Sequence, residues 1–428
     1  MPTAPTEAPH RPTAATGTAL RPHTADGRSR LPRRRIRTGA RERRRGARLR
    51  RTAVALGLVL SAVCTTVGWS AASAQTPVTG PAPGAAAWRA DTSSGRLPDP
   101  ASASAREVAR FFAGLDADRR RALAARHPST VGNLDGAPVP LRYAANRAAL
   151  EAAGRAARAA GRPGQAARYL ALARPGRQIL SFDPRGRGTV AEVLGDLGKA
   201  RRVAVLVPGS DTDLTTYDRP GTKGGTPAAA AAALYRRAAR TAPGVPVAVV
   251  VWAGYTTPVG VGPDAASSRL ARAGAPRLDR FLEGLAASTA PAAPPALLCH
   301  SYGSVVCGLA ASSLAPDEAS DLVLLASPGA GAGSAEELRT DARVWAGRAP
   351  DDWIRHVPHV SLAGLGHGTD PVDPAFGARR LSTAGARGHS GYFAPGTGSL
   401  ASLTALVLGR WSDVACADTD PECRRDLP

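Results

Sequence analysis

The stretch Leu297-Leu298-Cys299-His300-Ser301-Tyr302-Gly303-Ser304-Val305-Val306 constrains this chain more than any other. An apolar run stops at Cys299, one serine stands in the turn, and a small-residue apolar segment that reads as a helix follows. Strand, sharp turn and helix in that order are the context of a G-x-S-x-G nucleophile elbow. Such a turn forces the serine backbone into a strained conformation, so the residues two before and two after it must be small. Cys299 and Gly303 meet that demand, with cysteine in place of the usual first glycine. The hydroxyl then stands clear of the strand ends, and the helix aims its first N–H groups at the same point. An ordinary strand-to-helix turn shares this local pattern, so the surrounding chain has to decide.

Around the elbow, apolar runs alternate with helix-like stretches. Gln178–Phe182 and Gly186–Val193 read as short strands, Arg202–Val207 as a buried strand ended by Pro208-Gly209, and Val245–Trp252 as the next. After the elbow come Asp321–Ala326, Arg343–Ala346 and His359–Ala363. Helices are expected near Thr226–Arg240, Ala266–Ala287 (with Pro276 as a potential break) and Leu400–Leu408. Strands that are apolar throughout and alternate with helices imply a mostly parallel sheet covered on both faces. Upstream, helical patterns over residues 99–175 form a prefix to the α/β domain at 176–412, and a Cys-containing tail occupies 413–428.

In open α/β sheets, ligands gather beyond the carboxyl ends of the strands, so the residues just after each strand are the ones to weigh. A serine is a weak nucleophile and needs a base, oriented in turn by an acid. The acid is expected after the strand at Arg343–Ala346, where Asp351-Asp352 lies, and Asp352 is preferred. His367 and His389 both follow the last expected strand. His389 is preferred as the base because it directly precedes the final helix, and His300 points away from where a base must stand. The oxyanion donors are expected to be the N–H of Tyr302, next to the serine, and of Ser210, after the Arg202–Val207 strand. Gly209, Tyr255, His300 and Tyr392 are candidates for substrate contact. The chain has no H-E-x-x-H, no zinc-like cysteine spacing, no G-x-x-x-x-G-K-[ST] and no helix-opening G-x-G-x-x-G, so neither metal nor cofactor is expected.

A formal charge of +21 invites a nucleic-acid partner, but residues 1–51 alone hold 15 Arg against 3 acidic residues. No aromatic residues interleave with that run as a single-strand binder needs, and nucleic-acid binding is set aside. Residues 1–51 read as a disordered Arg-rich start. Residues 52–74 then carry a basic flank, a short apolar core and a small-x-small exit, the pattern of a secretory signal. The protein is therefore expected outside the cell. An uncleaved anchor is the alternative, and then this segment is the only expected membrane contact. Residues 75–98 read as a Pro/Gly/Ala linker. Cys64 leaves with the signal. Cys416 and Cys423 are the favoured disulfide, since the polar tail has little core of its own. Cys299 and Cys307 are either bridged or free buried thiols.

Taken together, several segments resemble exported actinobacterial α/β-hydrolases long catalogued as a domain of unknown function. They are Val131-Gly132-Asn133-Leu134-Asp135-Gly136 with Ala144–Arg147, Val207-Pro208-Gly209-Ser210, Trp252-Ala253-Gly254-Tyr255 and Cys299–Ser304. Asp352-Trp353-Ile354, Gly366-His367-Gly368 and Gly388-His389-Ser390-Gly391-Tyr392 complete the set, which covers about residues 100–410. The resemblance implies an α/β-hydrolase fold, a Ser–Asp–His triad at Ser301, Asp352 and His389, and lipase- or esterase-like chemistry. The expected substrate is a small ester or lipid-like molecule. An amidase or peptidase on the same triad, and a non-catalytic cell-envelope binding module, stay open as alternatives.

Overall fold

The computed structural model describes residues 74–222, 225–362 and 364–427. The Arg-rich start, Cys64 and all but the last residue of the expected export segment lie outside the described residues. Among the described residues, eight strands form one sheet: β1 (Gln178–Asp183), β2 (Thr189–Leu194), β3 (Arg202–Val207), β4 (Val247–Ala253), β5 (Ala296–His300), β6 (Asp321–Leu325), β7 (Arg343–Gly347) and β8 (Arg379–Arg380). Their order across the sheet is β1-β2-β4-β3-β5-β6-β7-β8. β2 runs antiparallel to both its neighbours, and from β4 to β8 every pairing is parallel.

Side chains alternate across the sheet, which is why the central strands are apolar at every position. Ala204 and Leu206 of β3 join Leu298 of β5 in the core on one face, under the helices Pro227–Thr241 and Gly398–Leu408. Val203, Val205 and Val207 join Leu297 and Cys299 on the other, under the helices Arg269–Ser288 and Gly303–Ala310. Each such branched or leucyl side chain contributes about 1.5–3 kcal/mol on full burial. The helix Arg269–Ser288 runs unbroken through Pro276.

Three features depart from the sequence reading. Residues 75–98 are not a bare linker: Ala85–Ala90 is helical and Trp88 is fully buried in the prefix core with Val108, Phe112 and Leu134. The described residues His359–Leu362 of the expected His359–Ala363 strand do not form one. They are largely exposed, with Leu362 76% accessible and bridged only to Leu365. The last strand is instead the two-residue β8, which pairs in parallel with β7, the Arg379 guanidinium lying over the Trp345 ring.

Both sheet edges are covered, as edge strands require. At β1 the side chain of Asn133 acts as a strand residue would: its Nδ2 donates to Phe182 O (2.7 Å) and its Oδ1 accepts from Phe182 N (2.9 Å). Asn146 adds a bond to Ile179 O (3.0 Å), and Asp135 pairs with the buried Arg142 at 3.0 Å. Gly136 has φ +90° and lies where a Cβ would meet Ala105 O at 2.0 Å, so only glycine fits. The Gly-Asn-Leu-Asp-Gly segment thus docks the prefix on the sheet. At β8 the tail does the covering, with Ala417 N donating to Arg380 O (2.9 Å), and Cys416 and Cys423 close it as a disulfide.

Candidate active site

β5 ends at His300, and the chain turns so sharply that Ser301 has φ 55°, a left-handed conformation that a non-glycine residue adopts only at a cost of order 1–3 kcal/mol. Two neighbours hold the turn. Ser301 N donates to Leu325 O on β6 (2.9 Å), and Gly303 sits against β3 so tightly that a Cβ there would lie 2.4 Å from Val207 O. Cys299 and Cys307 are bridged, tying the end of β5 to the helix behind the turn, their Cα atoms 6.5 Å apart. The small residue that replaces the first elbow glycine is therefore also a cross-link.

The loop after β7 and the loop before the final helix close on the serine. His389 Nε2 lies 2.8 Å from Ser301 Oγ, and its Nδ1 lies 2.8 Å from Asp352 Oδ1. With a carboxylate at Nδ1, the imidazole carries its proton there and leaves Nε2 free to accept from the serine hydroxyl. Asp352 is fully buried. Burial, the largest single influence on it, raises its pKa. The combined hydrogen bonds from His389, Tyr392 OH (2.6 Å to Oδ2) and Ile354 N (2.9 Å) outweigh that and hold it below the usual carboxylate range. It stays ionised, as an orienting acid must. Its neighbour Asp351 accepts from Gly388 N (2.9 Å), fixing the residue just before His389.

Two of the expected substrate contacts turn out to be braces. Tyr392 is fully buried; its hydroxyl donates to Asp352 and accepts from Ala349 N (2.8 Å). Burial and the carboxylate push its pKa up, so it remains a donor. Tyr255, 2% exposed, donates to Pro208 O (2.8 Å) and stacks on Trp252 and Tyr302, supporting the β3 loop from below. Neither lines the groove that opens beside His300 and Ser390. Aromatics after strands suggest a pocket wall in sequence, and only the fold shows their hydroxyls turned inward.

His300 lies near the expected place but positions the base. Its Nε2–H donates to His389 O (2.6 Å), and the two rings pack 5.0 Å apart. Burial, then the nearby His389, pushes its pKa from 6.5 down to about 4, so it is neutral at neutral pH. Between those values the unfolded chain takes up a proton here that the folded chain refuses. Stability contributed by this residue is complete above about pH 6.5 and is lost as pH falls toward about 4, by up to about 2 kcal/mol once partial exposure of the ring is allowed for. Urea unfolding across that range should show this loss in the wild type and a smaller one in His300→Gln. Equal slopes would contradict the assignment.

Gly209 follows β3 where an added Cβ would lie 2.7 Å from Ser301 Cβ and 2.9 Å from Tyr302 N. Without one, the backbone approaches the elbow and brings Ser210 beside it. Neither Ser210 N–H nor Tyr302 N–H donates to an acceptor among the described residues. Asp211 (φ 62°) fixes this loop, donating from N to Pro258 O (2.9 Å) and accepting from Gly260 N (2.8 Å). His367 is a clamp: it lies 2.7 Å from Ala265 O through Nε2 and 3.2 Å from Ser268 Oγ through Nδ1, away from Ser301. Trp353, which the sequence reading used only as a landmark, packs its ring 4.6 Å from that of His389 while remaining 44% exposed. Beside His300 and Ser390 opens a groove of about 340 Å³, walled by Pro208, Ala230 and Phe393. That volume is at the small end for a ligand pocket.

Residues 183–362 match the model of a family described as alpha/beta hydrolase, a stretch that takes in Ser301 and Asp352 and ends before His389. Uncharacterized proteins of two Mycobacterium tuberculosis strains, CDC 1551 and H37Rv, are each 28% identical over 388 residues, covering 75% of this chain and 58% of their own length. The chain thus spans under two thirds of the curated relatives it matches. Among solved structures, the apo form of Thermogutta terrifontis esterase 2 is 12% identical, with a TM-score of 0.29 over 57% of this chain and 97% of that one. Its paraoxon-phosphorylated form is 10% identical, with a TM-score of 0.26 over 43% and 74%.

Proposed function

We propose that this chain, an α/β-hydrolase in its fold and over residues 183–362 in its family, is an exported serine hydrolase that cleaves carboxylic esters through an acyl-enzyme. The observation that carries the reading is the continuous relay from Asp352 Oδ1 through His389 to Ser301 Oγ, with 2.8 Å at each step. Ser301 Oγ attacks the acyl carbon while its proton passes to His389 Nε2. The carbonyl oxygen gains the charge and takes hydrogen bonds from Ser210 N–H and Tyr302 N–H. Collapse expels the alcohol, which leaves with the proton from His389. Water then repeats the sequence: His389 takes its proton, and the acid departs as Ser301 recovers its own. Asp352 holds the imidazole tautomer throughout and stabilises the imidazolium.

A non-catalytic module has no need for a serine hydroxyl in hydrogen-bond contact with an oriented imidazole, which counts against that alternative. Export draws support from the two disulfides, which belong to an oxidising compartment. The folded chain should be labelled covalently by a fluorophosphonate and should hydrolyse p-nitrophenyl esters far faster than peptide p-nitroanilides. An unlabelled folded protein would refute the serine-hydrolase reading, and a preference for the anilides would move the bond to an amide.

A further inference from the structure

Gln75 directly follows Ala72-Ser73-Ala74, the small-x-small exit of the expected export signal. From this residue on, the chain is docked on loops at the carboxyl end of the sheet. Gln75 N donates to Asp264 Oδ2 at 2.6 Å, and Arg269 Nη2 donates both to Gln75 O (2.6 Å) and to Asp264 Oδ1 (2.6 Å). Val78 N donates to Thr256 Oγ1 (3.0 Å), and Arg185 donates to Thr79 O (3.2 Å) and Gly80 O (3.4 Å). Asp264 is part of the short helix Pro263–Ala266, and its side chain is only 15% exposed. That helix and the two residues after it are tied to the site. Ser267 O accepts from Tyr302 OH (2.7 Å), Ala265 O and Ser268 Oγ hold His367, and Ala266 O accepts from Gly366 N (2.7 Å). Tyr302 follows the nucleophile, and its N–H is one of the two donors assigned to the oxyanion.

We propose that removal of the signal after Ala74 turns the Gln75–Asp264 contact into an ion pair, making Asp264 a positioning residue that couples processing to the support of Tyr302; the inference rests on the export and hydrolase readings above. Hydrolysis adds water across the Ala74–Gln75 bond. Ala74 leaves with a carboxylate, and the Gln75 nitrogen becomes an amine that takes up a proton at neutral pH. A neutral amide donor 2.6 Å from Asp264 Oδ2 is thereby replaced by an ammonium at the same atom. Charge-assisted hydrogen bonds are roughly twice as strong as neutral ones. The carboxylate then lies between two cations, Arg269 and the new N-terminus; among the described residues, the uncut chain supplies only the first. The bonds to Thr256 and Arg185 a few residues on keep the new end at its place.

The test secretes the full chain beside a second one with Gly-Ser inserted between Ala74 and Gln75. The insertion leaves the exit pattern intact and moves the ammonium away from Asp264 without touching a side chain of the fold. Both are made with Asp264 and as Asp264→Asn. The intact mass of the secreted wild type should match a chain beginning at Gln75. With Asp264 in place, the insertion should lower the unfolding temperature by about 1–3 °C and slow fluorophosphonate labelling of Ser301 about two- to fivefold. In Asp264→Asn it should change neither. A wild type cut elsewhere, a Gln75 closed to a lactam with loss of ammonia, or an insertion with equal effects in both backgrounds overturns the inference. So does a labelling rate that ignores the insertion, since the pair then leaves Tyr302 unaffected. A coupled shift in unfolding temperature without any labelling overturns the hydrolase reading and keeps the ion pair. A chain that stays uncut overturns the export reading, and the inference with it.

Discussion

Replacing Ser301 by alanine should abolish fluorophosphonate labelling and lower ester hydrolysis by roughly four to six orders of magnitude, with the fold intact. The size follows from the relay. His389 and Asp352 have nothing to activate once Oγ is gone, so their contributions vanish with it instead of adding to a residue of activity. What survives is binding and the two N–H donors of Ser210 and Tyr302. The fold should tolerate the change because, among the described residues, Ser301 Oγ bonds only His389 Nε2, whose place is kept by Asp352 at Nδ1 and by His300 at the carbonyl. Alanine inherits the left-handed strain at this position, so no large gain in stability is expected either. Stopped-flow or end-point hydrolysis of a p-nitrophenyl ester, beside thermal unfolding, checks both halves. A variant retaining a tenth of the activity would mean that another group is the nucleophile.

Gly303→Ala should damage both the stability of the fold and the site. On propensity alone, alanine is the better residue at the start of a helix, by up to about 1 kcal/mol. The structure reverses the sign. The added methyl would meet Val207 O at 2.4 Å, Pro208 O at 2.9 Å and Val207 C at 3.1 Å, all backbone atoms of β3 and its loop. No side chain can rotate away, so either the elbow helix or the β3 loop must shift. A loss of about 2–4 kcal/mol in unfolding free energy is expected, together with slower labelling of Ser301, because Ser210 N–H rides on the displaced loop. Urea unfolding measures the first, and the rate of fluorophosphonate incorporation the second. A neutral or stabilising result would show that the elbow is looser than its contacts imply.

Much of this geometry can be read in the sequence because it rests on chemistry or on long apolar runs. Ser301, Asp352 and His389 are found from residue type, order and position after strands, and the structure brings those three into contact. The strands from Arg202 to Gly347 announce themselves because both their faces are buried. What escaped depends on partners distant in the chain. β8 is two arginines defined by their pairing with β7, a partner more than thirty residues away that no periodicity in the sequence records. His359–Ala363 has a strand's composition but no sheet edge to join, since β8 occupies it. Trp88 lies in what reads as a linker because one buried indole among Pro, Gly and Ala makes no period. Tyr255 and Tyr392 are placed correctly near the site, yet their roles hang on hydrogen bonds spanning 47 and 40 residues of sequence.

Cys299 and Cys307 close a ring around the serine, and both are completely shielded from solvent. Thiol–disulfide exchange needs a thiolate to reach a sulfur atom. The bond is therefore made while the two core faces are still open, and glutathione or thioredoxin cannot touch it once they close. The redox history of the elbow is written while the chain folds and is then sealed. Two populations that differ only in that bond would not interconvert without unfolding, and each molecule would carry for its lifetime the oxidation state in which it folded.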